Sequence, residues 1–177
     1  DDSIDVPIPI KPPEWMVGAR CVTTALLPGG RYWLVKGRDT QRGDIVAMKI
    51  IPMPSTLDRQ TRTRMLDLCE TSSNVSHPSW VPPRIAAINN GHLAMIRPWV
   101  FGRSMQTHLA APNPTQTLAS IVRLAFAIAS AHRIGATHGG IHHANVIIDH
   151  ESQPNLVDAS SSVTGWDHDL SIWNNDL

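Results

Sequence analysis

The sequence carries little charge and no excess of either sign. Charged residues make up 17% of its 177 residues, and 15 basic side chains balance 15 acidic ones. Domains that bind nucleic acids or membrane surfaces usually carry a basic excess. The balance therefore argues against a nucleic-acid partner. Lysine and glutamate are especially scarce, with three residues of each, so each one is a candidate for a specific role.

Cysteines and long apolar runs are also scarce. The two cysteines, Cys21 and Cys69, do not have the spacing of a metal-binding motif, so we expect reduced thiols in a cytoplasmic protein. The longest apolar stretch, around residues 121–131, is interrupted by Arg123 and is shorter than a bilayer span, so no membrane segment is predicted. Because the chain begins with Asp1 rather than Met, we expect a piece of a longer protein.

Apolar residues, which are 42% of the chain, predict a globular domain. The pattern along the chain predicts a strand-rich first half with one helix and a helix-rich second half. Residues 1–13 contain four prolines and are expected to form an extended linker or tail. Gly43 lies in a polar cluster between two β-rich runs, which is typical of a hairpin. The periodicities predict strands over residues 31–37, 45–51, 92–100, 145–149 and 155–158, and helices over 55–72, 105–109 and 117–133.

The last of these helices has the clearest apolar period, and Gly135 is expected to end it. We expect it to be mostly buried. We also expect apolar side chains around Ile121, Leu124 and Ile128 to need cover from another chain or from the rest of a longer protein. Ser55 or Thr56 is the expected N-cap of the first helix.

Three short segments hold most of the residues that suggest chemistry. Residues 46–49 read VAMK and lie on a predicted strand, where Ala47 and Lys49 share one face. Residues 138–145 read HGGIHHAN and connect the last helix to a short strand. Residues 156–160 read LVDAS and follow the next turn.

In this order, the three segments resemble the signature set of the protein-kinase superfamily: the V-A-I-K strand, the catalytic loop H-R-D-L-x-x-x-N and the strand that leads into D-F-G. Residues 76–80 (SHPSW) and 97–104 (RPWVFGRS) are similar to the kinase H-P-N-I segment and interlobe hinge. The resemblance implies an α+β, protein-kinase-like fold. We expect an antiparallel β N-terminal lobe over residues 14–96 and the beginning of a helical C-terminal lobe over 97–177.

The resemblance also implies a site for ATP and magnesium, the two candidate cofactors. Lys49 corresponds to the lysine that binds the α and β phosphates. Ala47 leaves room for the adenine base, and Gly29 matches one glycine of the glycine-rich loop. Asn145 and Asp158 correspond to the two magnesium ligands.

Three positions depart from this pattern in ways that weaken catalysis. The base aspartate is replaced by Gly140, which has no side chain to accept a proton, so no residue is assigned as catalytic. The lysine that steadies the transferring phosphate is replaced by His142, a poorer cation at neutral pH. Tyr32 replaces the third glycine of the glycine-rich loop and hinders a close backbone approach to phosphate.

Two further departures concern charge around the candidate lysine. The helix glutamate that pairs with this lysine in kinases aligns with Leu68, and Asp67 and Glu70 lie on other faces of the helix. Arg97 occupies the gatekeeper position behind the adenine, where a medium-sized apolar residue is usual.

Together the departures favour a non-catalytic module, a pseudokinase with a regulatory or scaffolding role, with Mg-nucleotide binding as a retained option. Its expected partner is another protein or the remainder of a longer chain. An atypical active serine/threonine protein kinase is the alternative. A purely structural role for Lys49, Asn145 and Asp158 also stays open. A metalloenzyme and a serine hydrolase are disfavoured, since the histidines lack H-x-x-x-H spacing on a helix and no G-x-S-x-G is present.

Overall fold

The structure, a computed structural model, describes residues 21–27, 32–53, 57–89, 91–110 and 113–159. The predicted tail over residues 1–13, Gly29, Ser55, Thr56 and the segment after Ala159 lie outside the described residues. Within the described ranges, no helix is both long and apolar enough to cross a membrane.

Five strands form an antiparallel sheet, as expected for the N-terminal lobe. In order across the sheet they are β1 (Cys21–Leu27), β2 (Trp33–Asp39), β3 (Ile45–Pro52), β5 (His92–Pro98) and β4 (Ile85–Asn89). β3 is buried almost throughout, because β2 and β5 flank it and both of its faces are covered. β5 crosses the predicted lobe boundary between residues 96 and 97, and that division of the chain stays a prediction.

The two faces of this sheet belong to different apolar cores. One face packs together Trp33, Val35, Val46, Met48, Ile50, Ala94 and Ile96. Helix α1 (Arg59–Ser73) covers the other face with Met65 and Cys69, which pack with Ile51, Met53, Leu93 and Met95. Because side chains alternate along a strand, Lys49 and Arg97 lie on this α1 face.

One glycine turn and one helix cap fix the ends of the elements around this core. Gly43 has a φ of 76° in the β2–β3 hairpin, which confirms its predicted turn role. Asp58 caps α1, since its Oδ1 accepts a hydrogen bond from the Thr61 amide at 2.7 Å. The helix therefore begins after Asp58 and not at the predicted Ser55 or Thr56.

A second, three-stranded antiparallel sheet follows in the order β6 (Gly102–Ser104), β7 (Val146–Asp149) and β8 (Pro154–Leu156). Gly102 is required here, because a Cβ at this position would overlap the carbonyl oxygen of Ile148 on β7. Helix α2 (Met105–Leu109) follows β6, and a single 3-10 turn over His143–Asn145 leads into β7.

Helix α3 (Pro114–His132) begins three residues before the predicted start. Asn113 caps it, and proline fits the first helical position. The expectation that the helix is mostly buried is wrong, because it buries a single stripe of Ser120, Leu124, Ala127 and Ala131. The expected exposed apolar surface is present at Ile121 but not at Leu124, which is buried, or at Ile128, which is partly buried. On this helix the exposed apolar side chains are Leu118, Ile121, Val122 and Phe126.

Residues 79–81 tie the two sheets together. The Val81 amide donates to the Leu156 carbonyl at 2.9 Å, and the Leu156 amide donates to the Ser79 carbonyl at 2.8 Å. The Trp80 indole nitrogen donates to the Ser72 carbonyl near the end of α1 at 3.1 Å. These bonds hold β8 against the segment that follows α1, so the residues after β8 meet the side chains of β3 and β5.

Candidate functional site

Lys49 projects from β3 into the interior between the two sheets. It is 3% exposed, and the neighbouring Ala47 on the same face is fully buried. The Lys49 Nζ lies 3.6 Å from Asp158 Oδ2 and 4.2 Å from the centre of the Tyr32 ring. Tyr32, predicted to hinder phosphate, therefore covers the ammonium group with its aromatic face, a favourable cation–π arrangement.

Asp158 follows β8 and is held by two cations. Arg97 Nε donates to Asp158 Oδ1 at 2.6 Å, while Lys49 approaches the other carboxylate oxygen. Burial alone would raise the pKa of Asp158, but the Arg97 and Lys49 charges and the Arg97 hydrogen bond outweigh it and hold this pKa well below its usual range. The carboxylate is therefore ionised at every physiological pH.

The backbone at Asp158 is unusual. Its φ of 64° lies in the left-handed region, where residues other than glycine are uncommon and aspartate is among those that tolerate it. Such a conformation persists where the surrounding contacts determine it. The two ion pairs provide contacts of this kind.

His138 holds the loop of residues 138–145 against the strand that leads to Asp158. Its Nδ1 accepts a hydrogen bond from the Gly140 amide at 3.3 Å, so the ring proton is on Nε2, which donates to the Val157 carbonyl at 2.9 Å. Trp80 packs edge-to-face on the imidazole with ring centres 5.5 Å apart. Burial lowers the pKa of His138 to about 4, although the Val157 carbonyl opposes that shift. His138 is thus a neutral, structural histidine.

Asn145 and Gly140 face each other across the same loop. The Asn145 side-chain amide donates to the Gly140 carbonyl at 2.8 Å, and the Val157 amide donates to the backbone carbonyl of Asn145 at 2.9 Å. Asn145 is buried, and these bonds hold it against Val157, the residue that precedes Asp158. At the position of a kinase base, the protein offers only a backbone carbonyl, and that carbonyl has a donor within the loop.

His142 contributes to the shape of the loop. Its Nδ1 accepts a hydrogen bond from the Ala144 amide at 3.2 Å, which caps the 3-10 turn. A lysine has no acceptor and cannot form this bond. The replacement of lysine by histidine thus exchanges a phosphate-directed charge for a local backbone contact.

The carboxylates of α1 do not point toward Lys49. Asp67 and Glu70 are exposed and line an open groove with Thr71, Asn74 and Ile134, which follows the end of α3. Leu68, at the position of the kinase glutamate, is partly buried. In the described part of the chain, Asp158 is the carboxylate that lies within ion-pair distance of Lys49.

Of the predicted site residues, the structure brings Lys49 and Asp158 together, with Ala47 on the same face of β3 as Lys49. Asn145 lies close to them because its carbonyl binds the Val157 amide. Gly29 is outside the described residues. As they are arranged, these residues do not fit a magnesium ion, because both Asp158 oxygens already face protein cations and Mg²⁺ requires direct oxygen ligands at about 2.1 Å. Over the described ranges, no three histidine, cysteine or acidic side chains come together as metal ligands.

Sequence reasoning identified Arg97 as a departure but missed its role. The signal was present, since a charged residue in the strand LAMIRP must be paired if it is buried. The partner lies 61 residues away in the chain, and only the folded structure joins the two.

Comparison with known proteins gives a consistent result. No protein-family model matches the chain. Serine/threonine-protein kinase PknE of Mycobacterium tuberculosis is 26% identical over 133 residues, which are 73% of this chain and 24% of PknE. Serine/threonine-protein kinase PkaB of Streptomyces coelicolor is 24% identical over 139 residues, which are 75% of this chain and 32% of PkaB. The chain thus spans about a quarter to a third of the length of these relatives.

A solved structure extends the comparison to the fold. The crystal structure of the PknI kinase domain from M. tuberculosis superposes with a TM-score of 0.71 at 20% identity, covering 80% of this chain and 59% of that one. The antiparallel sheet, the helices and their order agree with this likeness and confirm the predicted α+β class. The chain has a protein-kinase-like fold.

Proposed function

We propose that this domain is a pseudokinase, a non-catalytic kinase-like module with a regulatory or scaffolding role. The observation that carries the proposal lies in the loop of residues 138–145. Where a kinase needs a carboxylate, Gly140 presents a backbone carbonyl that accepts a hydrogen bond from the Asn145 amide. No side chain at this position can take a proton from a hydroxyl substrate.

Other contacts of the site support the same conclusion. Phosphoryl transfer depends on positioning and on cations that neutralise the transferring group. His142 uses its ring nitrogen to cap a turn, and Asp158 is bound to Arg97. The base is missing, and the two other side chains that a kinase would use on phosphate and metal, at positions 142 and 158, are occupied by contacts within the protein.

A nucleotide remains the candidate ligand of the site around Lys49 and Asp158. Lys49, with Ala47 beside it, would meet the phosphates and the base, and Gly29 remains a candidate for phosphate contact. Asn145 and Asp158 are the residues that would hold a metal ion, and magnesium would reach Asp158 only if the Arg97 contact opened. The further proposal below concerns that contact.

The partner and the location are part of the proposal. The apolar side chains exposed on α3, from Leu118 to Phe126, favour contact with another protein or with further parts of a longer chain. A cytoplasmic location is supported by Cys69, a buried and free cysteine whose pKa is raised to about 11 by burial.

An atypical active serine/threonine protein kinase is the second candidate. Two observations favour it: the 3.6 Å approach of Lys49 to Asp158, and the likeness to relatives that are themselves serine/threonine-protein kinases. This candidate requires another group to replace the base, or transfer without one.

Restoring the missing carboxylate separates these two candidates. We expect Gly140→Asp to show no phosphate transfer above background with Mg-ATP or Mn-ATP and a generic protein substrate. A positioned base contributes about 10²- to 10⁴-fold, but the variant would still lack the phosphate-directed cation at residue 142 and would keep Asp158 on Arg97. Transfer can be followed with radiolabelled ATP, and thermal melting must show that the variant is folded.

The opposite outcome is equally informative. If Gly140→Asp transfers phosphate and the addition of Lys49→Ala abolishes that transfer, the base is the single defect and the remaining machinery is intact. The pseudokinase proposal in its present form would then be wrong.

A further inference from the structure

Arg97 lies at the end of β5, opposite Ala47 in the register of the sheet. Paired residues of antiparallel strands share a face, so its side chain extends on the same side as Ala47 and Lys49. The residue is 8% exposed, and its Nη1 donates to the Pro98 carbonyl at 3.2 Å while Nε binds Asp158. Arg97 is thus fixed at both ends of its guanidinium group.

The surroundings of the pair are largely apolar. Arg97 and Asp158 line a small cavity whose other walls are Val81, Pro83, Met95 and Ala159. In such low-dielectric surroundings the attraction between the two charges is stronger than at a surface.

The pair also connects the two parts of the fold. Arg97 belongs to the five-stranded sheet, and Asp158 follows the last strand of the three-stranded sheet. Together with Lys49, Arg97 places one protein cation against each oxygen of the carboxylate. A divalent cation would have to displace at least one of these contacts before it could bind.

We propose that Arg97 is a built-in counter-ion that takes the place of a divalent cation at Asp158, so that any ligand bound beside this pair, including a nucleoside polyphosphate, is bound without a metal ion. The proposal deepens the pseudokinase assignment and rests on the kinase-like fold on which that assignment also rests. Its tests measure the binding of metal ions and of nucleotide, so its failure can be distinguished from a failure of the assignment, which is decided by phosphate transfer.

The test uses Mn²⁺ as the probe and electron paramagnetic resonance of free Mn²⁺ as the readout. Five proteins are compared: the unmodified chain, Asp158→Asn, Arg97→Met, the double variant that carries both substitutions and, as a matched control, Arg103→Met, which removes an exposed arginine six residues away. We expect the unmodified chain, Asp158→Asn and Arg103→Met to bind Mn²⁺ equally weakly. Arg97→Met should bind it at least tenfold more tightly, and adding Asp158→Asn should abolish that gain.

Two outcomes of the Mn²⁺ experiment would overturn the proposal. One is tighter Mn²⁺ binding by the unmodified chain than by Asp158→Asn, a comparison that does not require an arginine variant. The other is a folded Arg97→Met protein whose Mn²⁺ affinity equals that of the unmodified chain. If Arg97→Met does not fold, Arg97→Gln replaces it, since the amide removes the charge and keeps a polar group next to Asp158.

The same samples allow a nucleotide measurement. Thermal melting of the unmodified chain with ATP in the presence of EDTA should give the same shift as with Mg-ATP, whereas Arg97→Met should melt at a higher temperature with Mg-ATP than with ATP and EDTA. A Mg-dependent shift in the unmodified chain that Asp158→Asn removes would contradict the proposal.

Discussion

Replacing Asp158 by alanine is expected to destabilise the fold by about 3–5 kcal/mol, the typical loss when one partner of a buried ion pair is removed. The substitution leaves the Arg97 guanidinium and the Lys49 ammonium buried without their shared carboxylate. It also removes the side-chain contacts that support the left-handed backbone conformation at position 158. Urea denaturation followed by circular dichroism measures the free energy of unfolding directly.

The chain offers a matched control for this experiment. Asp44 and Arg84 form an ion pair with the same 2.6 Å separation, but their side chains are 45% and 25% exposed. Because exposed pairs contribute about 1 kcal/mol or less, Asp44→Ala should cost no more than that. Equal losses for the two variants would contradict the assignment of Asp158 to a buried, structural ion pair.

The second large effect is a pH dependence that originates at His138. The pKa of this histidine is about 4 in the folded protein, against 6.5 for an ordinary histidine. Between these values the unfolded chain binds more protons than the folded one, so acid favours unfolding. The stabilising contribution is fully present above about pH 6.5 and is lost as pH falls toward 4, by about 3 kcal/mol in all.

A variant that cannot titrate should remove this slope. We expect the free energy of unfolding of His138→Gln to be lower overall, since the bonds to Val157 and Gly140 are altered, and to change less between pH 7 and pH 4.5 than in the unmodified protein. His150→Gln is the control, because the His150 side chain is 84% exposed and its removal should leave the slope unchanged. An unaltered slope in His138→Gln would show that other groups cause the acid sensitivity.

Local sequence signals predicted the strands, helices and turns whose formation depends on the residues within each element. The alternation in residues 45–51 predicted β3, the apolar period predicted α3, and Gly43 predicted the β2–β3 turn. The start of α3 was misplaced because the Asn113–Pro114 pair reads equally well as the end of α2. Strand β4 was not predicted, since its five residues are too short to show a period.

The site was less predictable because its decisive contacts join distant parts of the chain. The resemblance indicated that Lys49 and Asp158 would meet, and the structure places them 3.6 Å apart. It gave no indication that the residue at the gatekeeper position would bind the same carboxylate. The roles of His142 in capping a turn and of Asn145 in binding the Gly140 carbonyl depend on side-chain orientation, which residue type alone does not specify.

Absence of phosphate transfer is the property on which the proposed pseudokinase function depends, and it can be measured by intact-mass spectrometry after incubation of the purified protein with Mg-ATP or Mn-ATP. We expect no added phosphate on the unmodified chain or on a generic protein substrate beyond the level seen with Lys49→Ala. Clear autophosphorylation of the unmodified chain, lost in folded Lys49→Ala and Asp158→Asn variants, would instead establish an atypical active kinase.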